Sequence, residues 1–240
     1  MPSTMTRIER LEIEERLEEI LPLVGKPARY TGGELNCIYK DHAEIEARGG
    51  VKCAVAFPDS YEIGMSNLAL SIVYHMFNRR EDCVAERTYA PWPYMEKAMR
   101  ERGVPLYTLE TKRPVLDFDL FALGLSYELS YSNVLNMLDL AGMPIRSTDR
   151  DCGLRIADCG LTPAEGESHP SSFILHPFPL VIAGGNATFN PEPIAPFPVP
   201  RCAVPRRAAP ILQTNHSVST PSESPSMHPP CLRVSSEAGG

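Results

Sequence analysis

The sequence predicts an α/β domain built on a parallel sheet of the flavodoxin-like or Rossmann type. Three observations carry this. Short, almost continuously apolar runs recur along the chain, as strands buried on both faces require. Between them lie segments whose apolar residues fall at helical spacing. Glycine or proline punctuates most of the alternations. Strand–helix alternation of this kind implies a parallel sheet with right-handed crossovers.

The elements follow in order. Residues 1–50 form a preface. Ile8, Leu11, Leu17, Ile20, Leu21 and Leu23 recur at roughly helical spacing among glutamates, and Gly25, Pro27, Gly32 and Gly33 then open a loop. This predicts one amphipathic helix packed on the main domain. Residues 51–200 are that domain. VKCAVAF (51–57), VAERTYA (84–90), VPLYTLE (104–110), LFALGLSYE (120–128) and PLVIAGG (179–185) read as strands. SNLALSIVYHMFN (66–78), WPYMEKAMRERG (92–103) and YSNVLNMLDLAG (131–142) read as helices, the last two stopped by Gly103 and Gly142. Residues 148–178 read as a long irregular insert. Residues 201–240 hold six prolines, seven serines and no aromatic residue, so they are expected to be a disordered tail.

Composition excludes several function classes. Apolar residues make up 43% of 240, enough for a folded domain, and the net charge of −7 argues against a nucleic-acid surface or an anionic membrane as partner. The acidic N-terminus lacks the apolar stretch of a signal peptide, and no apolar run reaches the ~18 residues of a membrane span, so a cytoplasmic location is expected. The seven cysteines, at 37, 53, 83, 152, 159, 202 and 231, are odd in number and widely spaced. They form neither a disulfide framework nor a CxxC or CxxxCxxC motif, so no metal or cluster site is expected in this chain. No phosphate-binding loop, nucleophile elbow or GxGxxG fingerprint is present. His75, on an apolar helix, reads as a packed core residue, and Trp92 and Tyr94 read as packing.

Ligands of such sheets bind at the carboxyl ends of strands, near the switch point. This selects three loops. The first, 58–65, carries Asp59, Tyr61 and Gly64 in a D-x-Y-x-x-G pattern, followed by Met65. The same residues also suit a plain Pro-Asp turn, with Ser66 or Asn67 capping the next helix. The second, 126–130, carries Ser126, Tyr127 and Glu128 at a strand end, where an ordinary strand end plus helix cap is the alternative. The third, 184–190, carries Gly184, Gly185 and Asn186; diglycine permits close approach of a ligand's tail, and a tight turn is the alternative.

KPARYTGGELN (26–36), AFPDSYEIGMSNLAL (56–70), ERTYAPWPYMEKAMRERGVPLYTLE (86–110), FDLFALGLSYELSYSNVLNMLDLAGMPI (118–145) and PLVIAGGNATFNPEPIAPF (179–197) resemble, in order, the N-terminal region of large radical S-adenosylmethionine (SAM) proteins with a cobalamin (B12)-binding-type domain. The resemblance implies that the three loops face a corrinoid. In the cobalamin fingerprint D-x-H-x-x-G the His ligates cobalt, the Asp holds it, and the Gly lets the corrin tail approach. Here Tyr61 stands in the place of that His, and Glu128 interrupts the S-x-L pattern that starts at Ser126. The resemblance also implies a following partial TIM-type barrel, the expected partner. Its CxxxCxxC loop holds a [4Fe–4S] cluster that cleaves SAM to a 5′-deoxyadenosyl radical. After Phe197 the resemblance ends, and neither the last strand nor the cluster loop is found. On this reading the chain is a fragment, from a frameshift or a partial gene, and is not catalytic alone. The alternatives are a free-standing module that binds a corrinoid or other nucleotide-like ligand or docks on a partner enzyme, and a ligand-free interaction domain of the same fold.

Overall fold

The structure is a computed structural model that describes residues 7–150, 178–190 and 192–197, with side chains from residue 12 onward. The elements run α1 (Arg7–Ile20), α2 (Ala28–Thr31), α3 (His42–Ala47), β1 (Val51–Phe57), α4 (Tyr61–Met65), α5 (Leu68–Asn78), β2 (Cys83–Tyr89), α6 (Pro93–Arg102), β3 (Leu120–Gly124), α7 (Tyr131–Leu140) and β4 (Leu180–Gly184). The four strands form one all-parallel sheet in the order β2-β1-β3-β4. This is the expected α/β flavodoxin- or Rossmann-like arrangement. The direction of chain progression reverses between β1 and β3, so their carboxyl ends flank the switch point. Most of the insert (151–177) and the tail (201–240) lie outside the described residues. No helix among the described residues is long and apolar enough to cross a membrane.

Local chemistry accounts for the boundaries. Asn67 caps α5 by accepting a hydrogen bond from the Leu70 N–H at 3.0 Å. Pro93 opens α6 and Gly103 closes it in the left-handed conformation (φ 63°), where an L side chain would be strained. β1 is buried on both faces apart from its first residue, as its unbroken apolar run requires.

Four expectations are corrected. The preface holds two further short helices, α2 and α3, beyond the one anticipated. Residues 61–65, read as part of a turn, form α4. The strand expected over 120–128 ends at Gly124, and residues 128–130 form a 3₁₀ turn. Residues 104–110 run beside β2 without becoming a strand; Tyr107 makes only an isolated antiparallel bridge to Pro114. The reason is a substitution in the ladder. Leu109 N–H donates to the Arg87 carbonyl at 2.8 Å, but the Arg87 N–H is taken by the Glu110 carboxylate at 2.7 Å instead of by a backbone carbonyl. A side chain thus completes the edge, and the chain turns away at Lys112 (φ 57°).

β2 lies at one edge of the sheet, yet all seven of its residues are buried. Two adjacent charged residues explain its cover. Glu86, 1% exposed, points to one face. It accepts from His42 Nε2 of α3 (2.5 Å), Thr108 Oγ1 (2.5 Å) and Thr111 Oγ1 (2.8 Å). Arg87 points to the α5 face. Its Nε donates to Glu110 Oε1 at 2.7 Å, its Nη2 to Cys37 Sγ at 3.1 Å, and its guanidinium lies 4.5 Å from the Tyr74 ring centroid. Burial pushes the Glu86 carboxyl up, but the bonds from His42 and the two threonines outweigh it and hold it below the usual range. Burial pushes Glu110 up against the pull of Arg87.

Arg87→Met should cost about 3–5 kcal/mol in urea unfolding, because it leaves the buried Glu110 carboxylate without its cation. Glu86 titrates below its ordinary 4.5 in the folded state, so its contribution is present above that pH and is lost as pH falls through the lower folded value. Glu110, raised by burial, works in the opposite sense. Glu86→Gln isolates the first effect: the variant should be less stable at pH 7, with a flatter stability profile below pH 4.5 than the parent.

Candidate functional site

The carboxyl ends of β1, β3 and β4 lie side by side, so the three selected loops form one surface. They are bonded to one another. Leu125 N–H donates to the Gly184 carbonyl (2.7 Å), and Ala187 N–H to the Leu125 carbonyl (3.1 Å). Tyr131 Oη donates to the Ala187 carbonyl (2.9 Å), and Asn133 Nδ2 to the Pro58 carbonyl (2.9 Å). Asp59 sits at the switch point. Its Oδ1 accepts from the Ser60 N–H (2.6 Å), and its Oδ2 accepts from the Tyr127 hydroxyl. That acceptor, with some burial, pushes the Tyr127 phenol up to about 12.

The structure brings Asp59, Ser126, Tyr127, Glu128, Gly184, Gly185 and Asn186 together here. Ser126, Glu128, Gly184, Gly185 and Asn186 are exposed. Tyr61, Gly64 and Met65 turn the other way, toward β2. The Tyr61 ring meets the Tyr89 ring edge-on at 5.6 Å, and burial together with nearby Glu34 pushes its phenol up to about 12. Met65 Sδ accepts from Tyr89 Oη at 2.9 Å. A Cβ on Gly64 would lie 2.2 Å from Tyr89 Cδ1, so this glycine is required for α4 to pack on Tyr89. Gly185 has φ 123°, and a Cβ there would lie 2.2 Å from the Leu125 carbonyl oxygen; the loops after β3 and β4 need that contact. Gly184 has open space around it.

Two features of this edge were not singled out in the sequence. Each strand is followed by an exposed large apolar side chain: Ile63 after β1 (47% exposed), Trp92 after β2 (47%), Leu129 after β3 (88%) and Phe189 after β4 (91%). The signal was available as apolar residues inside otherwise polar loops. Trp92, expected to pack, instead has the Arg29 guanidinium 5.3 Å above its ring, and His75, expected in the core, is exposed. The second feature is charge. Residues 58–66, 125–130 and 184–190 include Asp59, Glu62 and Glu128 and no lysine, arginine or histidine. Glu62 is paired with Arg29 at 2.6 Å; Asp59 and Glu128 remain as the acidic groups of the switch-point surface. Such a surface suits a ligand rich in hydrogen-bond donors and repels phosphate.

Tested against a corrinoid, the residues fit in part. Exposed apolar side chains and acceptor groups suit a large ring fringed with carboxamides. Among the described residues of these loops no side chain is placed to ligate cobalt: Tyr61 is a neutral phenol packed on Tyr89, and the Asp59 carboxylate is bonded to Tyr127. Gly185→Ala should cost at least about 2 kcal/mol in thermal or urea unfolding, from the positive φ and the clash with Leu125 combined.

The family described as radical SAM proteins, N-terminal, matches residues 69–198. This is more than half of the chain's 240 residues, and the chain belongs to that family. The match takes in the loops after β3 and β4 but begins beyond Asp59–Met65. No curated protein and no solved structure matches.

Proposed function

We propose that this chain, as the N-terminal part of a radical SAM protein, is an accessory domain that holds a corrinoid over the carboxyl edge of β1, β3 and β4 and supplies no ligand to cobalt. The observation that carries this is the mutually bonded set of three loops at the switch point, open above Gly184, fringed by Leu129 and Phe189, and free of basic side chains. A dinucleotide or nucleoside phosphate is disfavoured, because nothing in these loops would balance its charge. The cofactor would carry the chemistry, and the protein's part is to orient it and to shield one face from water. Cluster binding and SAM cleavage would fall to the catalytic part of the radical SAM protein, which this edge faces in the same reading.

Within the site, Ser126 and Asn186 would accept or donate to ring carboxamides. Leu129 and Phe189 would cover the apolar face of the ring, and Asp59 and Glu128 would accept from amide N–H groups. Tyr61 would stay out of reach of cobalt, held against Tyr89.

Mixing the chain with hydroxocobalamin and desalting should leave corrinoid absorbance in stoichiometric amount with the protein. Leu129→Asp with Phe189→Asp should weaken binding about tenfold or more, ~1.4 kcal/mol. Tyr61→Phe should leave the bound spectrum unchanged. Absence of retained absorbance would overturn the corrinoid reading. The same exposed apolar side chains would then favour an interaction module that docks this edge on a partner enzyme.

A further inference from the structure

We infer that the loop Ser126–Leu129 is a flap over the switch point, held shut by the Tyr127–Asp59 hydrogen bond, and that a carboxamide-bearing ligand opens it by taking over Asp59. This rests on the reading of the carboxyl edge as a ligand site.

The anchoring of the loop shows where it can move. Its two ends are fixed. Leu125 is fully buried and bonded to Gly184 and Ala187, and Ser130 is buried at the N-cap position of α7; within the loop, its N–H and Oγ both donate to the Tyr127 carbonyl. Between them Ser126, Glu128 and Leu129 are exposed. Among the described residues, the only bond that the Ser126–Leu129 side chains make across the crevice is Tyr127 Oη to Asp59 Oδ2. A second crossing bond, Asn133 Nδ2 to the Pro58 carbonyl, starts from α7 and belongs to the fixed wall. The flap is therefore hinged at two buried points and latched at one half-exposed one.

The latch joins an acceptor to a donor. A ligand that brings its own N–H to Asp59 replaces the phenol without leaving the carboxylate unpaired, and the freed Tyr127 hydroxyl can then donate to a ligand carbonyl. A carboxamide offers both groups. A phosphate offers only acceptors and would face the Asp59 charge. The latch thus discriminates by donor content as well as by shape. It also accounts for the use of Asp59, whose carboxylate holds a tyrosine from the neighbouring strand's loop and no imidazole.

The test compares the parent chain with Tyr127→Phe and Asp59→Asn by hydrogen exchange and by stopped-flow mixing with hydroxocobalamin. Without ligand, the Ser130 amide, whose N–H donates to the Tyr127 carbonyl at 3.3 Å, should exchange at least about fivefold faster in both variants, while the amides of α7 and β3 keep the parent rates. Equal exchange at Ser130 in parent and variants overturns the latch, whatever cobalamin does. If cobalamin binds, Tyr127→Phe should raise the association rate by a similar factor, and an unchanged or lower rate counts against gating. If cobalamin binds none of the three proteins while exchange still rises, the corrinoid reading falls and the latch stands. Inorganic phosphate should leave the exchange of the parent loop unchanged, and protection of residues 126–129 by phosphate would overturn the assigned ligand chemistry.

Discussion

The structure depends on how the edge strand β2 buries two adjacent charges on opposite faces. A strand at the border of a parallel sheet has one row of backbone groups without a neighbouring strand. Here Glu86 recruits α3 and the threonines of 108–111, while Arg87 recruits Glu110, Cys37 and the Tyr74 ring. The preface and residues 104–113 are thereby fastened to the sheet as its cover. Each charge is satisfied by groups from segments distant in sequence, so the cover and the strand stand or fall together.

The same constraint shapes the candidate site. Tyr89 ends β2, and Tyr61 and Met65 of α4 pack on it, with Gly64 allowing the contact. This draws α4 toward β2 and leaves Asp59 alone at the switch point, where Tyr127 reaches it. The D-x-Y-x-x-G pattern is thereby divided. Its aspartate serves the crevice, and its tyrosine and glycine serve the packing of the edge strand.

What the sequence disclosed follows from the range of the interactions. Periodicity and local capping are short-range, so the strands at 51–57 and 179–185, the cap at Asn67 and the stop at Gly103 were legible. VPLYTLE has the composition of a strand, but Glu110 bonds the Arg87 N–H, a pairing across 23 positions that no local pattern encodes. Asp59 and Tyr127 were each singled out, yet their bond spans 68 positions and only the fold reveals it. The dual burial of Glu86 and Arg87 was likewise hidden, because charged residues in a strand read as exposed until their partners are known.

Membership in the N-terminal family of radical SAM proteins gives this geometry its context, and the acid-only loops narrow the kind of molecule that fits. The central claim is that the loops after β1, β3 and β4 act as one ligand surface. Hydrogen exchange of the full chain with and without saturating hydroxocobalamin tests it most directly. The account predicts concurrent protection of residues 58–60, 125–130 and 185–190, with β2 and its cover unchanged. Protection confined to one loop, or located around Tyr61, Met65 and Tyr89 instead, would contradict it.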